Sequence, residues 1–147
     1  MTDRLALLER AFHRECRSLT QYLAESGLWE RRDDRAAREL VHLIMADERR
    51  WAGKLSELIE ERRGVPRLGS YPVEFTNMNL HFVGLDFTLG KLAEFLERET
   101  AAIRADVAAA GDDSSVRSLL ELMLERKCGQ IVALRELAGS LAAKKSL

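Results

Sequence analysis

Apolar residues recur at helical spacing along almost the whole chain, and its two prolines, Pro66 and Pro72, fall in one short segment. A side-chain period near 3.6 commits a segment to an amphipathic helix, and proline removes an amide that a helix interior needs. The chain is therefore expected to be all-helical. Leu5, Leu8, Phe12, Leu19 and Tyr22 form a first stripe over residues 3–26, closed by Gly27. Asp33 or Asp34 can cap a second helix over 34–63, with Val41, Ile44, Trp51, Leu55 and Leu58 as its stripe. Gly64 and Pro66 break that pattern. A third helix over 79–110 ends at Gly111 and carries Leu85, Leu89, Leu92, Leu96 and Ile103. After the cap-rich turn 112–115 a fourth helix, 114–140, carries Leu120, Leu124, Cys128 and Ile131.

The links between these helices carry the topology. The first and third are short, so each joins an antiparallel hairpin. The middle link, 64–78, is long enough to cross a bundle from end to end. Its apolar residues Tyr71, Val73, Phe75 and Met78 are expected to pack on the bundle side, since a long link must bury something to stay ordered. The other reading of the link is a dimer surface or a lid.

Facing residues of an antiparallel hairpin lie about equally far from its turn. Glu15 and Glu48 straddle the point between Arg31 and Arg32, and Glu99 and Glu125 straddle Asp112. Each of the four also falls on its helix's apolar stripe near mid-helix. A carboxylate in a bundle core is costly unless a cation or strong donors compensate it. Four converging carboxylates are how di-iron and di-manganese bundle proteins hold metal. Glu15, Glu48, Glu99 and Glu125 are thus expected in one layer as metal ligands, with Cys128 as a possible fifth. Glu94 is the other candidate on the third helix, but it lies off the stripe. The competing reading has the four glutamates leaning to the surface, paired with Arg14, Arg17, Arg49, Arg50, Arg98 and Arg126.

The totals narrow the classes. A chain of 147 residues suits one domain with a sizeable core, and 46% hydrophobic content argues against disorder. A net charge of -1 with both signs interspersed argues against nucleic acid as a partner. No apolar run approaches the roughly 18 residues of a membrane span, and no signal peptide is apparent. Two cysteines, Cys16 and Cys128, make no disulfide framework, so a cytoplasmic protein with reduced thiols is expected.

Glu15 and Tyr22 make a Glu-x6-Tyr pattern. Asp47-Glu48-Arg-Arg-Trp51-Ala52 and Glu125-Arg-Lys-Cys128-Gly129 stand where a Glu-x-x-His motif followed by a small residue would stand. With Glu99 and the two-hairpin repeat, the chain resembles the ferritin-like superfamily, near its rubrerythrin and bacterioferritin branches. The resemblance covers nearly the whole chain. It implies a ferritin-like four-helix bundle with a long crossover, iron as cofactor, oxidase or peroxidase chemistry, and a homodimer or larger homo-oligomer. The chain departs from the family at both histidines, which Trp51 and Cys128 replace. Indole cannot ligate, and thiolate suits softer metals.

Each site residue has a plainer reading. Tyr22 either bonds a carboxylate from outside the ligand set or packs in the core. Trp51 either donates to a carboxylate or plugs the volume of a metal site. Cys128 is either a ligand or a small buried apolar residue. His13 and His42 fall beside their stripes, and His81 lies far from the midplane. No Gly-rich phosphate loop, nucleophile elbow or CxxC is present. The leading expectation is a carboxylate-rich iron site with a redox or metal-handling role. The rival is a metal-free ferritin-like scaffold acting through oligomerisation or partner binding, and a small-ligand pocket between helices is the third possibility.

Overall fold

A computed structural model describes residues 3–28, 34–80 and 83–145. Among them are five α-helices, one 3₁₀ turn at Val73–Asn77 and no strand, so the expected all-α class is observed. Helix α1 (Arg4–Cys16) starts where the Asp3 carboxylate accepts the amides of Leu5 and Ala6. It stops at Arg17, and the chain restarts as α2 (Leu19–Glu25), capped by Ser18, whose Oγ accepts the amide of Gln21. The single helix expected over 3–26 is therefore broken. A serine hydroxyl competes for nearby backbone amides and favours a cap over a helix interior. The apolar stripe runs on across the break, so periodicity alone reads one helix.

Gly27, at φ 76°, closes α2, with the Leu28 amide on the Leu23 carbonyl. That pairing satisfies carbonyls a helix end leaves open. Helix α3 (Arg35–Glu61) is capped by Asp34, which accepts the Ala37 amide at 2.9 Å. Asp33, Arg31 and Arg32 lie outside the described residues. The same closure ends α3: Gly64 returns its amide to the Ile59 carbonyl. A Cβ on Gly64 would meet Leu5 Cδ1 at 2.5 Å, so this turn packs directly on α1.

Helix α4 (Leu85–Ala110) starts six residues later than the expected 79, because Asn79 is left-handed (φ 52°) and Gly84 is extended. The crossover is correspondingly longer than 64–78. Helix α5 (Ser114–Lys145) runs past the expected end at 140. Lys145 at its last turn bonds Asp86 in the first turn of α4, an ion pair that ties down the extra turn.

Helices α4 and α5 pack antiparallel along their length, as the pairs Asp86–Lys145, Glu97–Arg135 and Arg104–Cys128 show. Helix α1 packs on α3, while α3 also meets α5, α1 meets α4, and α2 bridges α3 and α4. The crossover lies along this body. Phe75 is buried, with its ring 5.5 Å from Tyr22 and 5.4 Å from Phe95. Arg17 Nε donates to the Gly69 carbonyl at 2.9 Å, and His13 Nε2 lies 3.1 Å from the Ser70 carbonyl oxygen. The link packs as expected, except that Val73 stays 77% exposed.

The apolar interior is divided. One cluster holds Leu19, Ile44, Leu96 and Leu134, and the other holds Phe12, Trp51, Ile103 and Met123. Helices α3, α4 and α5 pass from one cluster to the other, and the step from α1 to α2 makes the same change. The residues at those changeovers are Glu15, Glu48, Glu99 and Lys127.

Candidate functional site

Lys127 is 0% exposed, and its ammonium is the centre of the charged layer. Its Nζ lies 3.0 Å from Glu15 Oε2, 2.9 Å from Glu99 Oε2 and 4.0 Å from Glu48 Oε2. It also sits 5.1 Å from the centre of the Trp51 ring. The indole face thus completes the cation's surroundings, an arrangement favoured by the ring's quadrupole. Trp51 is buried in the core, with its ring against the ammonium.

Glu48 draws its donors from the helix break. Ser18 Oγ donates to Glu48 Oε1 at 2.9 Å, and Gln21 Nε2 donates to the same oxygen at 3.1 Å. One serine hydroxyl thereby caps α2 and holds a buried carboxylate. Beside this, Gln130 Nε2 donates to Asp47 Oδ2 at 2.9 Å. Two carboxylate oxygens in the interior accept no hydrogen bond, Glu15 Oε1 and Glu48 Oε2.

The charges do not balance: three carboxylates face one ammonium. Burial pushes Glu15 up from 4.5 to about 7, with Lys127 pulling down and Glu99 pushing further up. Glu48 is raised well above the carboxylate range by burial, opposed by Lys127 and reinforced by Glu99 and Glu15. Burial lowers Lys127, but Glu15, Glu99 and Glu48 together raise it further than burial lowers it. The layer therefore holds one fixed ammonium and a Glu15 that takes up its proton near neutrality. Such a lysine cannot serve as a base. Glu15 and Glu48 are sealed from solvent, so no substrate reaches them directly.

The four-carboxylate layer is corrected to three carboxylates and a lysine. Glu125 is exposed on α5 and takes no part. The buried face of α5 is Val116, Leu120, Met123, Lys127, Gln130 and Leu134, rather than the Leu120, Leu124, Cys128 and Ile131 stripe. That rotation carries Glu125 out and Lys127 in. Cys128 is half-buried and faces Arg104, whose Nη2 donates to Sγ at 3.7 Å, away from the carboxylates. Of the two readings of Tyr22, the structure has core packing: its ring meets Tyr71 edge-on at 5.3 Å and lies tilted against Phe75.

On α4 the layer takes Glu99, while Glu94 is exposed and pairs with Lys91 at 3.0 Å. Cys16 is half-buried, with its thiol raised by burial. His13 faces the crossover, His42 is exposed, and His81 lies outside the described residues. The sequence reading missed Lys127, Ser18, Gln21, Asp47 and Gln130. For Lys127 and Gln130 a signal existed: both continue the alternating four-and-three spacing of Val116, Leu120 and Met123.

Oxygens of Glu15, Glu48 and Glu99 lie within 4.8 Å of one another, close enough for a shared cation. A di-metal centre in a bundle needs four carboxylates and two imidazoles. Here one carboxylate has turned outward, no imidazole faces the layer among the described residues, and an ammonium stands between the remaining oxygens. The residues do not fit a di-iron centre. Comparison with protein families, curated proteins and solved structures finds no match to this chain.

Proposed function

We propose that the chain is a ferritin-like four-helix bundle whose centre is held by its own lysine in place of metal, and that it acts through assembly or partner binding rather than redox chemistry. In this reading α1 and α2 together count as one broken rod, paired with α3, and α4 pairs with α5. The observation that carries it is the Lys127 ammonium at 2.9–3.0 Å from Glu99 and Glu15, where a metal would need the same oxygens. Trp51 closes off the ammonium on one side, with its ring centre 5.1 Å from Nζ. No helix among the described residues is long and apolar enough to cross a membrane.

The test is elemental analysis of the purified protein before and after anaerobic addition of iron(II), with mass in solution by sedimentation. The expected result is no stoichiometric metal in either state and a defined homo-oligomer. About two irons per chain, lost in Glu15→Ala, would overturn the reading. A second reading has one observation in its favour: Glu15 Oε1 and Glu48 Oε2 are buried without a hydrogen bond. These oxygens would suit a single hard cation that displaces the ammonium. It predicts about one divalent ion per chain, bound more tightly in Lys127→Gln.

A further inference from the structure

A cleft of about 350 Å³ opens between α1, the start of α2, the crossover and α4. That volume falls in the range of about 300–1,000 Å³ found for small-molecule sites. Leu19, Phe75 and Phe95 give it apolar lining, and Arg10, Arg14, Arg17 and Arg98 line it as well. Two carboxylates also line it, Glu74 and Glu99. Glu99 is committed to Lys127 at 2.9 Å. Glu74 meets Arg98 only at 3.9 Å, with both side chains more than half exposed, and such pairs hold weakly.

The arginines are unequally committed. Arg17 bonds the Gly69 carbonyl and lies 4.7 Å from the Tyr71 ring centre, so it serves the crossover. Arg14 binds Asp106 at 2.7 Å, yet its Nε is buried without an acceptor. Arg98 lies over the Phe95 ring, with its Cζ 4.5 Å from the ring centre, and holds Glu74 only loosely. Arg10 is exposed and makes no hydrogen bond or ion pair with the described residues. A concave site with aromatic lining and underused guanidiniums suits an anion carrying an apolar body. A cation would be repelled, and a bare inorganic anion would leave the aromatic rings unused.

We propose that this cleft binds a small organic anion, with its carboxylate or phosphate head held by Arg10 and Arg98, and its aromatic or aliphatic body on Phe75, Phe95 and Leu19. The proposal does not rest on the metal-free reading of the core, since Arg10 and Arg98 are not part of the Lys127 cluster. Glu99 is common to both, so an occupant sits next to the charged layer.

The test is a titration of the full chain followed by NMR, with benzoate, phenyl phosphate, benzyl alcohol and inorganic phosphate as probes. Benzoate or phenyl phosphate is expected to shift the Phe75, Phe95 and Leu19 resonances saturably, at or below about 1 mM. Benzyl alcohol and inorganic phosphate, each lacking half of the ligand, should bind at least about tenfold more weakly. The double variant R10Q/R98Q, altered only at exposed positions, should keep its circular dichroism and lose about tenfold or more in affinity. E74Q, which frees Arg98, should bind more tightly. No saturable shift up to about 10 mM, benzyl alcohol binding as well as benzoate, or affinity unchanged in R10Q/R98Q would overturn the proposal.

Discussion

Removing the Lys127 ammonium would leave the carboxylates of Glu15, Glu48 and Glu99 in the interior without a cation. Breaking a buried charge cluster on one side costs about 3–5 kcal/mol. Lys127→Met, similar in length and apolar, is expected to lose stability of that order in urea unfolding at neutral pH. The loss should shrink in acid, where the glutamates become neutral. Equal losses at both pH values would mean that the cost comes from packing rather than charge. The raised Glu15 sets a second expectation. Between its ordinary value of 4.5 and its folded value of about 7, the folded protein keeps a proton that the unfolded chain has released. Stability is therefore full below the lower value and is lost as pH rises through the upper one, by up to about 3 kcal/mol. Glu48 acts with the same sign. Lys127, raised from 10.5, loses its contribution only in strong alkali. Unfolding free energy should thus fall from about pH 5 to 8, where most proteins hold steady. Glu15→Gln, which has no carboxyl to titrate, should flatten that fall. A stability that climbs over the same interval would contradict a raised Glu15.

Among the elements, the break between α1 and α2 does the most to shape the layer. Ser18 caps α2 and donates to Glu48, and Gln21 from the first turn of α2 donates to the same oxygen. Ser18→Ala removes a cap worth about 1 kcal/mol and a hydrogen bond to a buried carboxyl worth about 1–3 kcal/mol. A loss of about 2–4 kcal/mol is expected in thermal or urea unfolding, with faster amide exchange in α2. A loss no larger than that of a cap alone would show that Glu48 draws nothing from Ser18. Most element types and limits were legible, because Asp34, Gly27 and Gly111 punctuate the pattern where caps and turns require them. The break was not legible. Leu19 and Tyr22 continue the stripe of Leu8 and Phe12, and period carries no information about one serine's choice of amide. The rotation of α5 was hidden for a related reason. Its apolar residues cover a wide arc, so two registers fit the pattern, and the true one places a lysine in the core.

At the scale of the molecule, the charged layer separates two apolar clusters that would otherwise form one core. Buried ionic groups are often replaced by apolar ones of similar volume with no loss, or with a gain of about 1–4 kcal/mol. The combined variant Glu15→Leu, Glu48→Leu, Glu99→Leu and Lys127→Met is expected to be at least as stable as the wild type. Its unfolding should show no fall in stability over the neutral range. If it unfolds more easily than Lys127→Met alone, the layer contributes packing that apolar side chains do not reproduce.

The sequence by itself determined the helical class, the antiparallel pairing of α4 with α5 and the meeting of Glu15, Glu48 and Glu99 at one level. All of these follow from local periodicity and from the equal distances of facing residues from a turn. Tertiary structure decided which face of α5 turns inward, where the first helix breaks, and hence that Lys127 and not Glu125 completes the layer. The reason is physical: a buried carboxylate selects whatever cation or donor the neighbouring helices bring within 3 Å of it, and that choice is made between elements, where no single segment's pattern records it.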